Sequence, residues 1–143
     1  MIPFGRRSPR RRRGAAAVEF AVLAPVLGII IVGMVEMSRA MMAKMILNDA
    51  ARKACRTGIQ ATGSNATISS EVTNILSDNN ISTSSATVTV QVNGVTANAN
   101  TAKQNDRVSV KVAVPYTQFA WTQPLFLSST TVESETVVMM RQQ

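Results

Sequence analysis

The chain has no histidine and a single cysteine, Cys55, among its 143 residues. Each absence removes chemistry. A zinc site of the usual Cys/His type cannot be assembled within one such chain. Nor can a catalytic triad with a histidine base, and one thiol makes no intrachain disulfide framework. Aromatic residues are only 4% of the composition, so the core is expected to be small. Glycine-rich phosphate loops are missing too, and with few acids outside the helical region no catalytic constellation emerges. The expectation is a protein that is not an enzyme, with no metal, cofactor or small-molecule substrate.

Acidic residues are absent before Glu19, and that stretch carries Arg6, Arg7, Arg10, Arg11, Arg12 and Arg13. The net charge of +7 would by itself invite a nucleic-acid or membrane-surface partner. Those six arginines account for most of it. Without them nine basic residues face eight acidic ones, a net of +1. The basicity belongs to a leader rather than to the body, which argues against a nucleic-acid partner. A nucleic-acid-binding tail at residues 1–13 would require strongly salt-dependent binding and retention of the leader.

The segment after the leader is apolar. Residues 15–37, AAAVEFAVLAPVLGIIIVGMVEM, would span about 34 Å as a helix, enough for the hydrocarbon core of a bilayer. The remaining chain is too small to enclose such a helix. A secretory signal peptide has a shorter apolar region and a small-residue cleavage site, and Ser38-Arg39-Ala40 matches that site poorly. The segment reads as a retained span. Arginines at its N-terminal flank, Arg10 to Arg13 nearest, set the topology. They place residues 1–14 in the cytoplasm and the C-terminal body outside it.

One residue does not suit a plain anchor. Glu19 lies in the apolar segment, where an ionisable side chain costs about 2.5–3.5 kcal/mol at mid-depth and less near an interface. Either Glu19 is shallow enough to snorkel, or it pairs with a cation. A cut after Gly14 would create that cation, because the new amine of Ala15 would lie one helical turn away.

Gly14-Ala15-Ala16-Ala17-Val18-Glu19-Phe20, after a basic leader, resembles the prepilin-peptidase processing motif. Continued through Pro25, Gly33, Glu36, Arg39 and Asn48-Asp49-Ala50-Ala51-Arg52, the segment 10–58 resembles the TadE-like minor pseudopilins of the tight-adherence (Tad, Flp-type IVb) pilus system. The resemblance implies several things at once. A membrane-embedded aspartyl peptidase would cut between Gly14 and Ala15. Phe20 and the small residues before it would help the span enter that enzyme. Glu19 would position the subunit during assembly. Other pilins or pseudopilins and pilus-assembly membrane proteins would be its partners, at the inner membrane or in a pilus. TadG-like proteins begin similarly but are usually much longer.

Beyond the span, residues 38–57 favour helix and contain neither proline nor glycine, with Gly58 and Gly63 as stop signals. Met37, Met41, Met45, Ala51 and Cys55, with Met42, Ile46 and Ala50 alongside, form an apolar stripe expected to pack on the body of the protein. Cys55 then reads as a small buried residue, ahead of an intersubunit cross-link or a nucleophile. Residues 59–70 read as a loop, and Ile68, Val72, Ile75 and Leu76 predict a short helix over 68–78. Val88, Val90 and Val92 alternate with polar residues, as do Val108, Val110, Val112 and Val114; these are two strands. Asn93-Gly94 signals a turn, 95–106 is too polar for a firm return strand, and a weaker third strand covers 130–140. Tyr116, Phe119, Trp121 and Phe126 are expected at the core or edge of this sheet rather than on a ligand or adhesion surface. Two glycosylation sequons, at Asn65 and Asn80, carry no weight in so Asn- and Ser/Thr-rich a chain.

The resulting architecture is α+β and pilin-like, a long N-terminal transmembrane helix continuing into a small domain with a short helix and an antiparallel sheet. Its parts are a leader (1–14), a span (15–37), a helix extension (38–57) and an extracytoplasmic domain (58–143). Two functions fit. One is a structural, pseudopilin-like subunit, whose Ala17-x3-Ala21 and Ala24-x3-Gly28 pairs let neighbouring helices approach closely, with Pro25 loosening the helix between them. The other is a membrane-anchored binding module with no assembly role.

Overall fold

The computed structural model describes residues 10–120 and 123–142, with side chains from Gly14 onward. Arg6, Arg7 and Trp121 therefore lie outside the described residues, as do the side chains of Arg10 to Arg13. The fold is α+β. Helix α1 runs over Arg10–Gly58 and α2 over Asn65–Asp78. Among the described residues five strands complete it, at Thr87–Val92 (β1), Val95–Thr96 (β2), Arg107–Pro115 (β3), Thr131–Glu133 (β4) and Val137–Met140 (β5). The chain divides into two compact units, residues 1–35 and 36–143.

In the first unit α1 already includes Arg10, inside the expected leader, because arginine and alanine favour helix and one glycine, Gly14, does not suffice to end it. It continues through Pro25. Gly14–Gly58 is long and apolar enough to cross a membrane, and none of its apolar window is buried within the chain. No residue from Gly14 to Val35 is buried.

In the second unit the sheet is entirely antiparallel, with β3 at its centre. One edge of β3 pairs with β1, Val90 opposite Val110 and Val92 opposite Val108. Its other edge is shared by β4 near Val114 and β5 near Val108. The expected third strand is thus two strands, and Ser134 explains the break. Its backbone N–H still reaches the Val112 carbonyl at 2.8 Å, but its hydroxyl accepts from the Val112 N–H at 2.9 Å and donates to the Glu135 carbonyl at 2.9 Å. Glu135 then turns its own N–H to Asn48 Oδ1 on α1, at 2.7 Å. At the other end Asn93 and Gly94 have φ of 52° and 84°, the doubly positive pattern of a tight hairpin turn, which yields the two-residue β2.

The core lies between the sheet and the helices. Val108, Val110, Val112 and Val114 meet Ala43, Leu47, Ala51, Ala54 and Cys55 of α1 and Ile68, Val72 and Leu76 of α2. Burying each of these larger aliphatic side chains contributes about 1.5–3 kcal/mol. The helix α2 starts before the expected residue 68. Ser64 accepts from the Thr67 N–H at 3.2 Å while Thr67 Oγ1 accepts from the Ser64 N–H at 2.9 Å, a capping box that extends the helix into polar sequence.

The methionine stripe is a correction. Met37, Met41, Met42 and Met45 are exposed, Met45 at 72%. Ala50, Ala51 and Cys55 of the expected stripe are buried, and the buried path on α1 continues not through the methionines but through Glu36, Ala43, Leu47 and Ala54. Short alanine side chains let a sheet approach a helix closely, whereas a row of methionines would hold it off. Ala43, Leu47 and Ala54 repeat at helical spacing and carried the signal; methionine hydropathy masked it.

Candidate functional site

The residues expected to direct processing all lie on α1. Gly14 is the fifth residue of the helix, exposed, and a Cβ built on it would meet nothing within 4 Å. Ala15 and Glu19 are exposed, as is Phe20 at 67%. Among the described residues Glu19 has no ion-pair or hydrogen-bond partner. A glycine within a helix costs about 1 kcal/mol relative to alanine, so the Gly14–Ala15 bond is a place where local unwinding is cheap. One side of α1 at Glu19 carries a carboxylate and the next residue a large aromatic ring. Both project from a helix whose neighbours in the sequence are alanines and valines.

The second unit contains a carboxylate of the opposite kind. Glu36 is 8% exposed. Its two oxygens accept three consecutive backbone N–H groups, Leu125 at 2.6 Å, Phe126 at 3.1 Å and Leu127 at 3.3 Å. Its own carbonyl accepts from the Tyr116 hydroxyl at 3.1 Å. Burial, with the Glu36 charge beside it, pushes the Tyr116 phenol above its ordinary pKa. The sequence motif contains Glu36, but nothing in local pattern says that it will bind a loop 89 to 91 residues away. The aromatic set divides around it. Tyr116 is buried, Phe119 packs partly against the core, and Phe126 is exposed.

Cys55 is fully buried on the sheet side of α1. Its Sγ donates to the Val108 carbonyl at 3.4 Å and lies 3.7 Å from that of Val137. Burial pushes the thiol up to about 11 from 9.0, so it is a structural group rather than a thiolate nucleophile. Arg141 is buried as well, donating to the carbonyls of Ala99 at 2.9 Å and Ala61 at 3.1 Å. Among the described residues no cluster of Cys, Asp and Glu could hold a metal ion. A groove of about 560 Å³ runs beside Met42, Ile46, Ile81 and Phe119.

Residues 14–56 match the family model described as TadE-like protein. This segment is TadE-like. The match begins at Gly14 and ends within α1, two residues short of Gly58. It thus contains Glu19, Phe20 and Glu36, and leaves the loop that Glu36 holds, α2 and the whole sheet outside. The TadE-like family is a structural, pilus-associated one, and the segment of this chain that is similar to it lies within a candidate transmembrane helix. No curated protein and no solved structure matches the chain.

Proposed function

We propose that the chain is a single-span structural subunit of a Tad-type pilus or secretion assembly, a substrate of a prepilin peptidase and not itself an enzyme. The observation that carries this is the coincidence of two things: the TadE-like match starts at Gly14, and Glu19 follows five residues later, exposed and without a partner among the described residues. Cleavage after Gly14 removes the basic leader on the cytoplasmic side. The amine left on Ala15 is the nearest cation Glu19 can have, in its own subunit or in an adjacent one, and Phe20 belongs to the surface the peptidase engages. The extracytoplasmic domain stays outside the inner membrane, carried by α1 and presented to other pilins or pseudopilins.

The test is the N-terminus of the protein isolated from its native membrane. Intact mass or N-terminal sequencing should find Ala15 first. A chain that retains Met1 in cells with an active prepilin peptidase overturns processing and leaves a membrane-anchored binding module, for which the groove beside Met42 would be the place to look.

A further inference from the structure

Glu36 ties a loop to the point where the chain leaves its apolar segment. Residues 15–35, the part of the span that precedes Glu36, make up 21 helical positions, about 31 Å, so Glu36 lies at the outer end of the span at bilayer thickness. The loop it holds, residues 123–127, is unusual in two ways. Leu127 turns into the core, while Leu125 and Phe126 stand 68% and 58% exposed. Between Lys111 and Glu133 the sequence has no charged residue at all.

The hydrogen bonding fits the same place. Three adjacent N–H groups on one carboxylate is more satisfaction than a loop in water needs, because water supplies donors and acceptors freely. Close to hydrocarbon it does not, and a backbone that approaches lipid must find its partners within the protein. Exposed leucine and phenylalanine on a charge-free loop are the side chains that partition into the boundary between headgroups and acyl chains.

We propose that loop 123–127 is a second membrane contact: with its backbone clasped by Glu36, it inserts Leu125 and Phe126 into the outer interface of the bilayer that α1 crosses. The occupant of this surface is lipid, and the proposal rests on α1 being a membrane span. The contact gives the domain two points of attachment, a helix and a loop.

The experiment uses the full chain in phosphatidylcholine–phosphatidylglycerol liposomes. Trp121→Phe with Phe126→Trp leaves one tryptophan, on the loop, excited selectively at 295 nm. Co-flotation with the vesicles reports the span. Blue-shifted emission from residue 126 that is quenched by brominated lipid is the expected result, and adding Glu36→Ala should reduce that quenching while far-ultraviolet circular dichroism stays unchanged. A chain that does not float overturns the span and the proposal together. Flotation with water-like, unquenched emission overturns the loop contact alone. Blue-shifted emission insensitive to brominated lipid but dependent on protein concentration means that another protein surface covers the loop, and also overturns it. Quenching that survives Glu36→Ala removes Glu36 from the account.

Discussion

The two halves of α1 share one backbone and solve opposite problems. From Gly14 to Val35 no residue is buried, and Leu23, Leu27, Ile29, Ile30 and Ile31 all face outward. From Glu36 to Gly58 the large apolar residues, the methionines, still face outward, while the inward face is built from alanine, one leucine and a cysteine. The two carboxylates obey the same division. Glu19 is exposed in an apolar stretch and Glu36 is enclosed by three donors. The contrast teaches that hydropathy along this helix does not report burial within the chain. Bulk marks the surface offered to a surrounding medium, and smallness marks the surface against which the sheet packs.

The contrast can be broken most strongly at Leu47, which is fully buried. Leu47→Ala should lower the unfolding free energy of the domain by about 2–5 kcal/mol through lost transfer energy and a cavity, measured by denaturant titration in detergent. The same exchange at Leu27, which is half exposed in the apolar window, should leave that transition where it is.

The carboxylates come next. Glu36→Ala strands three donors and should cost about 1–3 kcal/mol in the same titration. Glu19→Ala should not move the transition, and should instead depress pilus or secretion output in cells. Equal effects of the two on domain stability would erase the distinction between them.

Cys55 sharpens the comparison from the buried side. Its thiol titrates near 11 in the folded protein against 9.0 ordinarily, so the folded state holds its proton longer than the unfolded one. Stability linked to it is complete below pH 9.0 and is lost progressively as pH rises toward about 11. Alkylation by iodoacetamide at neutral pH should wait for unfolding, and prompt labelling of the native protein would contradict its burial. The smallest effect is expected at the outward methionines. Met41→Ser or Met45→Ser should change stability by no more than about 0.5 kcal/mol, whereas a large loss would mean that the methionine face packs within the domain after all.

Much of the fold was legible in the residues. Val88, Val90 and Val92 and the run from Val108 to Val114 alternate as strands must, and Asn93-Gly94 prescribes its own hairpin. Gly58 ends α1 where the helical pattern stops. The features that escaped depend on a partner distant in sequence or on chemistry that hydropathy does not register. The start of α2 is set by a hydroxyl pair in polar sequence. The break between β4 and β5 comes from Ser134 competing with the ladder while Asn48 takes the next N–H. The methionine stripe misled because apolar periodicity identifies a face and not what covers it.

For the candidate site the division is similar. The order of a basic leader, Gly14, Glu19, Phe20 and an apolar run is a property of consecutive residues, since membrane insertion acts on a linear segment, as the proposed peptidase recognition would. That a second acid, Glu36, would hold loop 123–127 was decided by the tertiary structure. A carboxylate becomes an anchor for three amides only when the fold brings the far end of the chain to it, and no local spacing encodes that meeting.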